Sequence, residues 1–471
     1  MYECYLLGYW CRTLNKLKIS GLKSTEVKSH KRYIDGKCDY WRKQGVRTAS
    51  VSLWTRLTKQ WFDWERDLYV RNGFGVYELG KPVLYLSDPE LIREVLVKDF
   101  HIFTNRRKFI TDDPMINKMV FSARDSEWKR LRTVMSPTFT TGKLKRMTPL
   151  ILECVDTMND NIDKIIAKND GQLSAPVDMK RITGAYGMEV VIQVAFGRKV
   201  SALVDPNNPI IENALTQFFH KFTLNLIDER KRGLETESSV KRVDFLQLML
   251  DSMRDNNDEA IDGSDEYTDS LTNDELIAQC VLFLVAGYET SATTLSMCLY
   301  TIAKHPEVQQ KLYEEINKFH EHQKSNADPY EAFHALKYMD AVIDETLRLF
   351  PAAIFIERVP TEDYELTGTG ITIKKDHVVH IPAYAIHRDP EYFADPEVFR
   401  PERFLPENIA HNPYTYLPFG AGPRNCLGMR LAQLEIKLAL VNLVQRYKPL
   451  ELGVAGGLII PKSVDLRISG R

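Results

Sequence analysis

The chain has 471 residues, enough for one large domain or several, with 44% apolar residues and a formal net charge of −2. A charge so balanced gives no global argument for nucleic-acid binding. Its seven cysteines are scattered without a C-x-x-C pair, which argues against a disulfide framework and a zinc site and fits a reducing compartment.

In chain order, residues 1–59 show no sustained periodicity. The apolar run Tyr5–Trp10 is soon followed by Arg12, Lys16 and Lys18, so it falls far short of the ~20 apolar residues of a spanning helix. No clean signal peptide is present, and the expectation is a soluble or peripheral chain. The basic run Lys28–Arg32 and the segment Tyr40–Lys43 suit an anionic membrane face, although such runs are more often simply solvated. Val76–Leu86 reads as a hairpin turning at Gly80. Ser87-Asp88-Pro89-Glu90 then opens a helix, with proline and acid in its first turn.

Helices dominate from Ser126 to Phe350, with the strongest periods at Lys145–Ile166, Asp178–Phe196 and Val243–Met253. Asp255–Asp274 is acidic and reads as an exposed loop. Glu275–Lys304 is a long apolar helix interrupted by Gln279 and Glu289, the pattern of a buried central helix rather than a membrane span. Phe355–Pro382 turns β-rich with Gly368 and Gly370 as turn points, Asp389–Asn412 is irregular, and Leu427–Tyr447 is helical again. The order predicts a mainly α fold with a small β part, and neither a repeat nor a linker marks a second domain.

Pro418–Gly428 carries three glycines, two prolines and Cys426. Gly420 and Gly422 open backbone angles closed to other residues. Cys426 stands just before a helix, where backbone N–H groups favour a thiolate. A thiolate in such a loop can ligate a large flat metal cofactor, although a lone cysteine in a turn is more often merely structural. Glu345 and Arg348 share a helix face at i, i+3. Inside an apolar helix that pair needs a further partner to offset burial, and Arg403 is the candidate. Ala286-Gly287-Tyr288-Glu289-Thr290 interrupts the long helix. Gly287 costs roughly 1 kcal/mol there relative to alanine, and Thr290 can bond back to a carbonyl one turn earlier. Together they can open a groove in which Glu289 and Thr290 deliver protons. The plainer alternative is a bent core helix with a solvated glutamate. Trp128 and Arg132 at i, i+4 suit carboxylate recognition. Arg106, Arg358 and Arg424 add cations in apolar settings, each of which alone would pass for a surface salt bridge.

Together and in this order, these residues resemble the cytochrome P-450 superfamily of haem-thiolate monooxygenases. Phe419–Gly428 matches that family's F-x-x-G-x-x-x-C-x-G loop at every fixed position, Glu345 and Arg348 its E-x-x-R, Arg403 its P-E-R-F arginine, and Ala286–Thr290 its A-G-x-x-T. The resemblance covers roughly residues 60 to 465. Phe103–Arg107, Trp128–Lys143, Val243–Met249 and Ala383–Pro390 look like the animal drug- and steroid-oxidising branch that includes thromboxane synthase.

The resemblance implies a single large domain, residues 60–471, around a buried haem b, preceded by the segment 1–59. Cys426 would be the axial thiolate on iron, with Phe419 and Gly420 beside the sulfur. Arg424, Arg358, Arg132, Trp128 and Arg106 would bind the haem propionates. Thr290 and Glu289 would manage proton delivery, and Glu345, Arg348 and Arg403 would brace the fold. The implied reaction inserts one atom of O2 into an apolar organic substrate (xenobiotic, steroid or lipid). An NADPH-dependent reductase would supply electrons, docking where Lys129 and Arg130 offer positive charge. The implied location is the cytoplasmic face of the endoplasmic reticulum membrane, by peripheral contact. Two departures stand out: the usual hydrophobic anchor and proline-rich hinge are missing, and the 208–243 segment looks short, with Phe218–Arg232 reading as one helix. They motivate a rival expectation, a haem-binding protein whose shortened pocket roof leaves it without turnover. A haem-thiolate isomerase is a third reading, disfavoured by the intact Glu289-Thr290 pair.

Overall fold

The computed structural model describes residues 74–471 apart from 79–80, 109–112, 169–174, 201–215, 235–243, 252, 254–270, 323–329, 331–334, 448–450, 457–462, 469 and 471. The readings made for residues 1–59, for most of Asp255–Asp274 and for both flanks of Phe218–Arg232 lie outside the described residues. In chain order the elements are β1 (Phe74–Glu78), β2 (Lys81–Tyr85), α1 (Pro89–Arg93), α2 (Pro114–Lys118), α3 (Asp125–Met135), α4 (Thr141–Lys168), β3 (Ala175–Asp178), α5 (Met179–Phe196), α6 (Thr216–Leu234), α7 (Phe245–Asp251), α8 (Asn273–Lys304), α9 (Pro306–His322) and α10 (Lys337–Leu349). There follow β4 (Ile356–Arg358), β5 (Tyr364–Glu365), β6 (Thr372–Ile373), β7 (Val378–Ile381), α11 (Ala383–Ile386), α12 (Met429–Arg446), β8 (Glu451–Gly456) and β9 (Ser463–Ile468). The mainly α fold with a small β part is therefore observed, in two compact units.

The first unit comprises residues up to Lys108, Pro351–Val398 and Ala410–Cys426. Its sheet runs β1-β2-β7-β4, with β1 and β2 forming the expected hairpin and β7 parallel to β2. Asp88 caps α1 by accepting from the Glu90 and Leu91 amides. Its core packs Leu84, Leu86, Ile92, Leu96, Phe103 and Val379 together with Leu417. Leu417 lies just before the cysteine loop, so burial of its side chain, worth roughly 1.5–3 kcal/mol, helps hold that loop to the core.

The second unit comprises Phe109–Phe350, Phe399–Ile409 and Leu427–Arg471 and includes the sheet β3-β9-β8. Its axis is α8, packed against α2, α5, α6, α9, α10 and α12. The helix is long and apolar enough to cross a membrane, but these neighbours make it a core helix. Its start is fixed by a capping box: the Glu275 amide donates to Thr272 Oγ1 and the Thr272 amide to Glu275 Oε2. Gln279, one of the residues that break its apolar run, is buried yet satisfied. Its side-chain amide donates to the Lys118 carbonyl at 2.7 Å, and its Oε1 accepts from the Val120 amide at 2.8 Å. At the middle of α8 a Cβ on Gly287 would lie 2.8 Å from Val191 Cγ2 on α5. The glycine is thus required by close helix packing.

Candidate functional site

In the first unit the segment Pro418–Cys426 is turned by Gly420 and Gly422, with φ of +72° and +71°, angles that strain any residue with a Cβ. At Gly422 a Cβ would also overlap the Leu96 carbonyl oxygen, so the loop touches the helical turn after α1 backbone to backbone. The Cys426 amide donates to Phe419 O at 2.8 Å and the Asn425 amide to Gly422 O at 3.0 Å. His387 Nε2 accepts from the Leu417 amide at 2.9 Å, which requires an unprotonated Nε2 and anchors the loop two residues before Phe419. Cys426 is exposed, whereas Cys154, Cys280 and Cys298 are buried. Burial pushes those three thiols well up, Cys298 to about 12, and leaves them inert. Among the described cysteines, Cys426 alone is placed to act as a ligand.

The same loop packs on β4: a Cβ at Gly420 would sit 3.8 Å from Ile356 Cδ1. Two residues further along β4 stands Arg358, about 1% exposed. Its Nη1 donates to the Glu357 carbonyl at 2.8 Å, while its buried Nε has no hydrogen-bond partner. The Glu357 carboxylate is engaged with Arg107, whose Nε lies 2.6 Å away. Burial, and then repulsion from Arg106, press the Arg358 guanidinium down to about 9, still cationic at neutral pH. Arg106 is held beside it by the bridge between Asn105 and Val359. Two neighbouring cations, one with an orphaned buried N–H, fit a carboxylate-bearing cofactor such as haem. Arg424 is likewise buried.

In the second unit α3 carries Trp128, buried, and Arg132 one turn on, as the i, i+4 spacing requires. Arg130, expected on a docking surface, instead pairs with the capping Glu275 and is largely buried. Only Lys129 remains exposed of that proposed pair.

Glu345 and Arg348 are 0% exposed and joined twice, at 2.7 and 2.9 Å. Arg403 Nε donates to Glu345 Oε1 at 3.1 Å and the Arg400 amide donates to the same oxygen at 2.8 Å. The third partner the sequence demanded is present. On α8, Thr290 Oγ1 donates to the Ala286 carbonyl at 2.6 Å, as expected. Glu289 is not solvated: it pairs with Lys180 on α5 and accepts from Thr293 at 3.2 Å. Sequence reasoning missed Lys180, His387 and the buried pair Ser291 and Glu435, since each acquires its role from a partner distant in the chain.

A mainly helical fold with one exposed cysteine in a glycine-turned loop, next to buried guanidinium groups, has the parts a haem-thiolate protein requires. The cytochrome P450 family model matches residues 69–217 and 211–453, which run through both units. Cytochrome P450 3A29 of Sus scrofa is 39% identical over 443 residues, 84% of each chain. Cytochrome P450 3A7 of Homo sapiens is 37% identical over 455 residues, 87% of each chain. Cytochrome P450 3A11 of Mus musculus is 36% identical over 495 residues, 93% of this chain and 94% of its own. The chain belongs to the cytochrome P450 family. It is a haem-thiolate monooxygenase whose cofactor is haem b held by a cysteine thiolate. The expectation of a haem protein without turnover finds no support.

Proposed function

We propose that Cys426 Sγ is the thiolate ligand of the haem iron. Arg358, Arg106 and Arg424, with Trp128 and Arg132, bind its propionates, while Phe419 and Gly420 line the sulfur. The bound haem supplies O2 activation and transfer of one oxygen atom. The substrate is an apolar organic molecule, a xenobiotic, steroid or lipid, and the second oxygen atom leaves as water. An NADPH-dependent reductase provides the electrons, and the protein works on the cytoplasmic face of the endoplasmic reticulum membrane, where members of this branch reside.

The chain's own residues divide the remaining work. Gly422 seats the loop against Leu96, and His387 anchors its start, so the sulfur is presented from a backbone with little freedom to move. Buried Arg358 gains a counter-ion when the cofactor's carboxylate arrives, which turns an electrostatic penalty into binding. Thr290 Oγ1 and the Glu289 carboxylate hold and orient protons on α8. Glu345 clamps Arg348, Arg403 and the Arg400 backbone into one unit.

The observation that carries this reading is the exposed Cys426 in its two-glycine loop beside the buried, incompletely bonded Arg358. The test is the carbon-monoxide difference spectrum of the reduced protein, with Cys426→Ser as control. A red-shifted thiolate band that the substitution abolishes is expected. No such band from the intact chain, or one that survives Cys426→Ser, overturns the assignment.

A further inference from the structure

Between α8 and α12 lies a carboxyl group that the reading above does not use. Glu435 of α12 is 2% exposed. The Ser291 hydroxyl of α8 hydrogen-bonds its carboxyl, and Ser291 is itself buried. The second carboxyl oxygen, Oε2, is buried without a hydrogen-bond partner. The Tyr186 hydroxyl of α5 donates to the Glu435 backbone carbonyl at 2.9 Å, leaving the side chain to Ser291 alone. The other titratable groups facing it are Tyr186 and, from α4, Cys154, both shifted upward mainly by burial. Repulsion from Glu189 and Glu153 raises Cys154 further. Lys437, the neighbouring cation on α12, pairs with Asp340.

A buried carboxyl that meets no cation among the described residues stays protonated, and burial raises this one to about 8. A protonated carboxyl with one free oxygen in contact with a hydroxyl is a proton donor awaiting an acceptor. Ser291 is the chain neighbour of Thr290, the residue assigned to proton handling.

We propose that Glu435 is a proton-holding acid that supplies protons to α8 through Ser291, an inference that rests on the monooxygenase reading above. The Glu435 carboxyl O–H gives its proton to Ser291 Oγ, and Ser291 releases its own proton through water toward Thr290. Glu435 is 2% exposed, so the carboxylate left on it regains its proton from solvent only when the α8–α12 contact opens locally; the cycle then consumes one solvent proton per proton delivered and needs no oxidant or reductant. Glu435 touches no substrate, so it is a positioning residue for the proton. Glu289 is tied instead to Lys180 and Thr293.

The test uses the haem-loaded full chain and Glu435→Gln, an isostere that keeps the hydrogen bond to Ser291 but cannot release a proton. Infrared difference spectra across a pH titration should show a protonated-carboxyl stretch at neutral pH that fades at alkaline pH and is missing from Glu435→Gln. With reductase and substrate, Glu435→Gln should lower the share of reducing equivalents recovered in product by roughly tenfold or more. The alkaline limb of the wild-type pH profile should vanish with it. Ser291→Ala should give a similar loss without adding to that of Glu435→Gln. A carboxyl band that survives Glu435→Gln, or unchanged coupling and pH profile, overturns the proposal. If the intact chain gives no thiolate band with carbon monoxide, the monooxygenase reading fails and this inference with it. With that band present and the variants silent, the inference alone fails.

Discussion

Glu345 is the acceptor on which the most buried charge in the second unit depends. It takes two hydrogen bonds from Arg348, one from Arg403 and one from the Arg400 amide. Arg348 is 0% exposed, whereas Arg403 retains 11% side-chain exposure. Glu345→Gln preserves shape but takes away the carboxylate charge that faces buried Arg348, which costs about 3–5 kcal/mol. Because a chain of this size unfolds irreversibly more often than not, the measurement is hydrogen exchange of the α10 amides under native conditions. At about 1.4 kcal/mol per factor of ten, exchange should accelerate by roughly a hundredfold to a few thousandfold. Replacing both partners, Glu345→Leu with Arg348→Met, removes the stranded charge as well as its acceptor and should recover most of that protection, since a well-packed apolar pair substitutes for a buried ion pair at little cost. Acceleration below tenfold in the single variant, or a double variant worse than the single, would refute the claim that uncompensated charge dominates.

Four further outcomes follow from geometry. Gly422→Ala drives a Cβ into the Leu96 carbonyl at positive φ, so the thiolate band should be lost while far-ultraviolet circular dichroism stays close to native. Gly287→Ala places a Cβ 2.8 Å from Val191 Cγ2 and should destabilise the α5–α8 contact by about 1–3 kcal/mol, read by denaturant midpoint and largely rescued by Val191→Ala. Arg358→Met removes a buried cation that lacks full bonding. It should stabilise the haem-free protein yet weaken haem retention by roughly tenfold to a hundredfold, the worth of one charge-assisted hydrogen bond, measured by transfer of haem to apomyoglobin. Glu435 has a folded-state pKa raised from 4.5 to about 8. Its contribution to stability is therefore whole below about pH 4.5, declines by about 1.4 kcal/mol per pH unit above that, and is gone by about pH 8. Glu435→Gln should flatten that limb of a stability-against-pH curve.

The parts of this site that were legible in the sequence are those whose logic is local. Positive φ at Gly420 and Gly422 follows from a loop too glycine-rich to be helix or strand, and the Glu345–Arg348 pair follows from helical spacing. Periodicity placed α4, α5 and α12 within a few residues of their observed ends: Lys145–Ile166 became Thr141–Lys168, and Leu427–Tyr447 became Met429–Arg446. What could not be read is who meets whom across the helices. The packing demand on Gly287 could not be read because nothing nearby in the chain reveals Val191 on α5. Arg130 looked available because its acceptor, Glu275, lies 145 residues away. Whether Glu289 carries protons or is merely solvated stayed open for the same reason, its cation Lys180 being 109 residues away. Misreadings of this kind concentrate on polar residues, since an apolar side chain is buried whichever neighbour it meets, whereas a charge takes its meaning from its partner.

That dependence on partners gives α8 its two-sided character. Successive residues of an α-helix are rotated by about 100°, so Glu289 and Ser291 point nearly opposite ways with Thr290 between them. On one side the Glu289 carboxylate has a cation and a hydroxyl, Lys180 and Thr293, and works as an acceptor. On the other, Ser291 meets a carboxyl that has no cation among the described residues. Glu289 thus has a fixed cation and hydroxyl, whereas uncompensated burial favours the neutral form of Glu435. Exchanging the environments rather than the residues would be the sharper perturbation. A basic side chain introduced beside Glu435, as in Cys154→Lys, should convert the acid to a paired carboxylate and silence it as a donor while leaving every atom of Glu435, Ser291 and Thr290 in place.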